Sequence, residues 1–202
     1  MTQAALVLGI GNVLWADEGF GVRCVETLAE KWAFGDNVRI LDGGTQGLYL
    51  LPFLEEADIL VVFDAVDYGL EPGTLKIVEG DAVPRFMGAK KMSLHQTGFQ
   101  DVIATAQLMG YCPETLILIG CQPAEIEDYG GGLREVVAAQ IAPAIDIALE
   151  KLRALGIHAR PGRGDDRLLA DPAILRQAYE EGRPSPEAAC RTGDDRFFPA
   201  AD

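Results

Sequence analysis

Residues 59–64 of the chain read Ile-Leu-Val-Val-Phe-Asp, five apolar residues followed directly by an acid. The apolar run is rich in β-branched side chains, is too short for a typical helix, and shows no alternation of apolar and polar positions. Such a continuous run is typical of a strand whose two faces are both covered, as in a parallel sheet flanked by helices. The stretch therefore predicts a strand over 59–63 in an α/β fold.

The rest of the chain alternates in the same way between short β-rich runs and segments with helical spacing. Further strands are predicted, between Gly, Asp, Asn or Pro residues, over 4–10, 38–41, 74–78 and 116–119. Helices are predicted over 21–32, 47–56, 96–109 and 133–155. The last contains Pro143, which should kink or break it. This order predicts a three-layer αβα sandwich on a mainly parallel five-stranded sheet, in which 74–78 could instead pair antiparallel at an edge.

Beyond about residue 160 the regular pattern dissolves into Arg, Asp, Gly and Pro. Residues 1–159 are therefore predicted to form one domain. Residues 160–202 are predicted to be a C-terminal extension, partly disordered or loosely docked, with one candidate helix over 172–181.

Charge and cysteine usage exclude several classes of protein. Among 202 residues, 17 basic against 31 acidic side chains leave a formal net charge of -14, which disfavours nucleic acid and anionic membranes as partners. The four cysteines form no CxxC pair, and the N-terminus carries no basic leader, so we expect reduced thiols in a cytoplasmic protein. The longest apolar runs fall far short of the roughly 20 residues that span a bilayer.

Acidic residues follow several predicted strands, and the carboxyl ends of parallel strands form the usual ligand crevice of such a sheet. Glu18 follows the first strand, Asp64 follows the third, and His95 precedes the third helix, so the three are predicted to converge. Two carboxylates and an imidazole suit nickel, zinc, iron or manganese and leave coordination positions open. The second strand leads into Asp42-Gly43-Gly44-Thr45 at the same edge.

Each candidate residue also has a plainer interpretation. Asp17 would cap a helix, and Glu18 would complement the positive end of the helix that follows. Asp64 would form a structural salt bridge, and His95 would cap a turn. Cys121 as a nucleophile lacks a recognisable base beside it, so a buried inert thiol is the expectation.

The glycines of the first two loops have alternatives as well. Gly9-Ile10-Gly11-Asn12 resembles the start of a dinucleotide fingerprint, but Leu14 stands where its third glycine would be. We therefore interpret Gly9 and Gly11 as a sharp turn off the strand. Gly43 and Gly44 either expose backbone groups to a peptide-like ligand or form a plain tight turn.

Taken in order, these motifs resemble the hydrogenase maturation proteases over residues 6–160. The motifs that carry the resemblance are Gly9-Ile10-Gly11-Asn12, Asp17-Glu18-Gly19, Gly21-Val22, Asp42-Gly43-Gly44-Thr45, Asp64-Ala65 and Ser93-Leu94-His95-Gln96. Length and tail are most similar to the members that serve membrane-bound uptake hydrogenases.

The resemblance implies an endopeptidase that removes the C-terminal extension of a nickel–iron hydrogenase large-subunit precursor after nickel insertion. Its metal-contacting residues fall on Glu18, Asp64 and His95, with the nickel supplied by the precursor. The resemblance also implies that Asp42, Glu18 and Asp64 are the catalytic carboxylates. It implies that Gly43, Gly44 and Thr45 bind the substrate.

Two questions stay open at this point. The hydrolytic water is activated either by a carboxylate, as in an aspartic-type peptidase, or by the metal. The second question is the class of protein: the alternatives to a peptidase are a chaperone that senses nickel through the same residues without cutting, and a nucleotide-binding enzyme that uses the Gly9 loop. In each case we expect a monomeric cytoplasmic protein.

Overall fold

The structure of the protein is a computed structural model that describes residues 3–84 and 96–162. Its strands are β1 Ala5–Ile10, β2 Trp32–Ala33, β3 Val38–Gly44, β4 Ile59–Ala65, β5 Leu75–Glu79, β6 Thr115–Cys121 and β7 Arg160–Pro161. Its α-helices are α1 Phe20–Lys31, α2 Leu51–Glu55, α3 Gln96–Met109, α4 Glu135–Ala138 and α5 Ile141–Ala154. Short 3-10 helices occupy Ala16–Gly19 and Gly47–Leu50.

Within these residues the main sheet has five strands in the order β3-β1-β4-β6-β5. β1 pairs parallel with β3 and with β4, and β4 pairs parallel with β6. β5 pairs antiparallel with β6 and forms one edge. The predicted α/β class and the five predicted strands are confirmed, including the antiparallel edge alternative for 74–78.

The sheet lies between two separate hydrophobic layers, and β4 shows how the sequence builds both. Ile59, Val61 and Phe63 belong to the cluster that contains residues of α1, α4 and α5, whereas Leu60 and Val62 belong to the cluster that contains residues of α2 and α3. Successive side chains of a strand point to opposite faces, so an unbroken apolar run supplies both layers. The three-layer prediction follows from that run.

The predicted helices are confirmed with two differences. The segment 47–56 begins as the 3-10 helix Gly47–Leu50 and becomes α-helical only over Leu51–Glu55. The segment 133–155 divides into α4 and α5, but the break comes before Pro143, which is the third residue of α5. Proline is tolerated in the first turn because an N–H there has no partner within the helix, so Pro143 begins a helix and does not kink one.

After α5 the chain forms a short strand, β7, that pairs with β2. Arg160 and Pro161 of β7 pair antiparallel with Ala33 and Trp32 of β2. The rest of the predicted extension over 160–202, with its candidate helix over 172–181, lies outside the described residues and stays a prediction. Over 3–84 and 96–162, none of the helices is both long and apolar enough to cross a bilayer.

Candidate functional site

The carboxyl ends of four neighbouring strands lie level with one another. Gly9 of β1 pairs with Asp42 of β3 on one side and with Phe63 of β4 on the other. Asp64 then pairs with Gly120 of β6. The loops that follow these strands therefore begin at one edge of the sheet, as the sequence predicted.

Glu18 lies over the end of β1 and is 7% exposed. Gly11 has φ +137°, and a Cβ there would collide with the carbonyl oxygen of Glu18, so the loop folds closely back on itself. The 3-10 helix Ala16–Gly19 that carries Glu18 also contacts β4. Glu18 and Asp64 are thus brought to the same edge by β1 and β4, which are neighbours in the sheet.

Gly9, one of the two glycines predicted to form the turn, instead packs closely against Gly21. A Cβ on Gly9 would collide with the carbonyl oxygen of Gly21, and a Cβ on Gly21 would collide with those of Phe63 and Ile10. The φ of neither glycine lies in the left-handed region. The interpretation of Gly9 as a turn residue was wrong, because both glycines are needed for α1 to approach β1 and β4 closely. Gly11 does adopt the conformation that a turn requires.

Asp64 is 1% exposed at the end of β4. The Tyr68 hydroxyl lies against Gly120, the register partner of Asp64, since a Cβ on Gly120 would collide with it. Burial raises the pKa of the Tyr68 phenol, and the charges of Asp64 and Cys121 raise it further. The phenol therefore stays protonated beside the carboxylate. Sequence reasoning missed Tyr68, which belongs to no motif.

Asp17 is not the helix cap that its position suggested. Neither the 3-10 helix nor α1 has a side-chain hydrogen bond at its N-cap in the structure, and Asp17 is completely buried. Its Oδ2 accepts from the amides of Ala124 and Glu125, both at 2.8 Å, and its Oδ1 accepts from the amide of Arg134 at 2.7 Å. The cap interpretation was wrong because these amides, more than 100 residues away, occupy both oxygens.

Asp42 lies at the end of β3 and is half-buried. Burial raises the pKa of its carboxyl group, while the Gly44 amide and the charge of Arg23 act in the opposite direction. Its Oδ1 is buried and accepts no hydrogen bond from the described residues. A carboxylate with a raised pKa accepts a proton more readily than an ordinary aspartate does.

Arg23 is a second residue that the sequence did not indicate. It is 4% exposed and makes two hydrogen bonds of 2.9 Å from Nη1 to the carboxylate of Glu26. The only sequence signal is a charged residue among the apolar ones of α1, and such residues are ordinarily solvent-exposed. Its influence on Asp42 depends on α1 packing beside β3, which is a tertiary feature.

The Gly43–Gly44 segment forms a bulge against β1, because Gly9 pairs with Asp42 while Ile10 pairs with Gly44. Gly44 has φ +43°, and its carbonyl oxygen accepts from the Gly11 amide at 3.1 Å. The Gly43 carbonyl accepts from the Gln46 amide at 3.0 Å, and Thr45 is exposed. A ligand that used these two carbonyls would have to compete with bonds inside the protein.

Cys121 is fully buried at the end of β6. Burial, and then the charge of Asp17, raises the pKa of its thiol to about 12. A thiol with that pKa is almost wholly protonated at neutral pH and is a poor nucleophile. This supports the expected inert thiol over the alternative of a nucleophile.

The predicted metal ligands are only partly described. Glu18 and Asp64 lie on described residues, whereas His95 lies outside them. Over 3–84 and 96–162 no group of three His, Cys, Asp or Glu side chains is arranged to hold a metal ion. The complete trio of Glu18, Asp64 and His95 therefore stays a prediction.

Comparison with known proteins gives a consistent assignment. The family model of the hydrogenase maturation proteases matches residues 22–151. A hydrogenase expression/formation protein HupD from Rhodobacter capsulatus is 68% identical over 199 residues, which cover 98% of this chain and 95% of that protein. The hydrogenase 2 maturation protease of Escherichia coli is 41% identical over 157 residues, 77% of this chain and 94% of that one.

A solved structure agrees with these relatives. The hydrogenase maturating endopeptidase HybD from E. coli superposes with a TM-score of 0.74 at 40% identity, covering 78% of this chain and 97% of that chain. The family model, the sequence relatives and the fold therefore all indicate the same family. The chain belongs to the hydrogenase maturation protease family and is an endopeptidase of hydrogenase maturation.

Proposed function

We propose that this endopeptidase removes the C-terminal extension of a nickel–iron hydrogenase large-subunit precursor once nickel has been inserted, and that it recognises the nickel. The observation that carries the proposal is the pair of carboxylates at one edge of the sheet, Glu18 at 7% and Asp64 at 1% exposure. Carboxylates are donors that nickel accepts, and the carboxyl edge of a parallel sheet is where such folds bind their ligands, so the position of the pair favours a cationic ligand.

In this proposal the precursor delivers the nickel in its own thiolates, and Glu18, Asp64 and His95 contact it from the protease side. Carboxylate and imidazole donors suit nickel, and three of them complete a shell that is already partly filled. The contact makes binding conditional on nickel loading. It also holds the scissile peptide bond against the site, where proximity accelerates hydrolysis.

Asp42 is the proposed proton-transfer residue. Its raised pKa and its place beside Gly43, Gly44 and Thr45 fit a carboxyl group that exchanges a proton with water or with the leaving amine. The bulged loop then binds the peptide on either side of the bond that breaks. Water activated by Asp42 and water activated at the nickel both accord with this arrangement.

The cellular compartment and the partners of the protein are proposed from its free thiols and its net charge. Cys24, Cys112 and Cys121 are free thiols, which fits a reducing cytoplasm. We propose that the protein works there as a monomer and serves a membrane-bound uptake hydrogenase. Nucleic acid and anionic membranes are not proposed as partners, because the net charge of -14 opposes both.

The test uses the full-length protein and its precursor in nickel-loaded and nickel-free forms. Mass spectrometry of the precursor should show loss of a C-terminal segment from the loaded form and none from the nickel-free form. Equal cleavage of both forms would refute nickel recognition while leaving the peptidase activity intact. Tight binding of the loaded form without any mass loss would instead support the non-catalytic chaperone.

A further inference from the structure

Asp17 connects two loops that are far apart in the sequence, residues 11–19 and residues 122–134, here called the paired loops. We infer that Asp17 is the positioning residue for Glu18: by binding the second loop it determines where the neighbouring carboxylate is held. The inference rests on the proposed function of Glu18. It assigns a role to a residue whose sequence position suggested only a helix cap.

Both carboxylate oxygens of Asp17 accept hydrogen bonds from the second of the paired loops. The carboxylate is fully buried and accepts three backbone amides of the second loop, from Ala124, Glu125 and Arg134. Hydrogen bonds to an ionised acceptor are stronger than neutral ones. Removing the acceptor would leave three part-buried amides without this partner, which adds to the loss.

Backbone and ring contacts join the paired loops at further points. The Asp17 amide donates to the Glu125 carbonyl at 3.0 Å, and the Gly130 amide donates to the Leu14 carbonyl at 2.7 Å. Trp15 and Tyr129 form a β-bridge and an edge-to-face ring contact with centroids 5.1 Å apart. The two loops therefore behave as one unit, with Asp17 at its buried centre.

The residue before Asp17 shows that the first loop is held under strain. Ala16 has φ +39°, the only non-glycine residue with positive φ among those described, and it is 2% exposed. Such a conformation persists only when surrounding contacts enforce it. The bonds made by Asp17 are the contacts best placed to do so.

Glu18 depends directly on this arrangement. Its amide donates to the Trp15 carbonyl at 2.9 Å, and its own carbonyl lies against Gly11. If the bonds of Asp17 are lost, Ala16 can relax and Glu18 moves with it. Displacement by a fraction of an ångström matters for a group that contacts a metal ion.

The chain offers a matched control in Asp58, at the opposite edge of the sheet. Asp58 Oδ2 accepts one amide, that of Ala4, at 2.8 Å in an exposed position. Asparagine can still accept one hydrogen bond, so Asp58→Asn should be almost silent. Asparagine cannot replace Asp17, because its side-chain NH₂ group would face a backbone donor.

A first experiment tests the loop connection without reference to activity. In a Trp32→Phe background Trp15 is the only tryptophan, since the chain has two. Asp17→Asn should shift Trp15 emission to the red and accelerate amide exchange in 122–134 by about tenfold or more, which corresponds to roughly 1.4 kcal/mol. Spectra and exchange like those of Asp58→Asn would overturn the inference.

A second pair of variants isolates one bond and covers the case in which Asp17→Asn fails to fold. Arg134 has φ -66°, which proline adopts without strain. Arg134→Ala removes only its ion pair with Asp128, whereas Arg134→Pro also removes the amide that Asp17 binds. The Arg134→Pro protein should process loaded precursor several-fold more slowly than the Arg134→Ala protein, and equal rates would count against the inference.

The final readout is processing per folded molecule, with the folded fraction measured for each variant. Asp17→Asn should be about 10- to 100-fold slower than Asp58→Asn, and its preference for loaded over nickel-free precursor should shrink. Faster amide exchange with unchanged processing would show that Asp17 is merely structural. Normal processing by Glu18→Gln would refute the proposed role of Glu18, while amide exchange would still decide the loop connection.

Discussion

At the amino edge of the sheet, Asp58 holds the chain near Ala4 with a single exposed hydrogen bond. At the carboxyl edge, Asp17 is fully buried and accepts three amides from a loop that begins more than 100 residues later. Both residues are aspartates that bind backbone amides. The difference is that the carboxyl edge also carries Glu18, Asp42 and Asp64 in partly or fully buried positions. Burying carboxyl groups is unfavourable, so the loops of this edge need strong contacts, such as those of Asp17, to keep their conformation.

The largest expected effect separates function from folding at the carboxyl edge. Asp64→Asn keeps the shape of the side chain but removes its charge, so processing should fall about a thousandfold or more, roughly 4 kcal/mol in transition-state energy. The free energy of unfolding should change little, since asparagine fills the same volume and still forms hydrogen bonds. Activity assays and urea denaturation of the same preparation would measure both.

Asp58→Asn is the control for that prediction, because it makes the same chemical change at the amino edge. It should leave both quantities near wild type. Processing by Asp64→Asn within a few-fold of wild type would remove Asp64 from the site, and a large loss of stability would support a structural salt bridge instead.

The next effect concerns packing below the carboxyl edge. Alanine is ordinarily favoured over glycine in a helix by about 1 kcal/mol. Gly21→Ala should nevertheless destabilise the protein by about 3 kcal/mol, because the new methyl group collides with the carbonyl oxygens of Phe63 and Ile10. Thermal or urea unfolding would measure the change.

Gly35→Ala provides the comparison at the amino edge. There a Cβ meets only the end of the Asn37 side chain, at 3.0 Å, and that side chain can move. Its effect should stay below about 1 kcal/mol. Equal effects at the two positions would contradict the close helix–strand approach described for Gly21.

The smallest expected effect is a pH dependence at Asp42. Its folded-state pKa is raised above the usual 3.8, so the folded protein binds the proton more tightly than the unfolded chain does. The stabilising contribution is therefore complete below pH 3.8 and is lost as the pH rises through the higher folded-state value. The wild type should lose stability relative to Asp42→Asn across that interval.

Urea denaturation at a series of pH values would show this as a difference in slope between the two proteins. Parallel curves would mean that the pKa of Asp42 is not raised.

The fold was predictable because its signals are local. The run 59–63 supplies both core layers because successive side chains point to opposite faces, and β1 and β6 do the same. The placement of Glu18, Asp42 and Asp64 at one edge also followed, since parallel strands end together. Pro143 was harder, because whether a proline begins a helix or kinks one depends on where the neighbouring helix ends.

The sequence by itself determined the two core layers, because they depend on residue spacing within each strand. It also determined the edge at which the carboxylates lie, because each acidic residue lies at or beyond the carboxyl end of a parallel strand. Only the tertiary structure decided what Asp17 binds, that Gly9 and Gly21 touch, and that Arg23 acts on Asp42. These contacts join segments that come together only when the helices dock on the sheet. No local pattern encodes them, because the partner of each residue is set by packing and not by its neighbours in the chain.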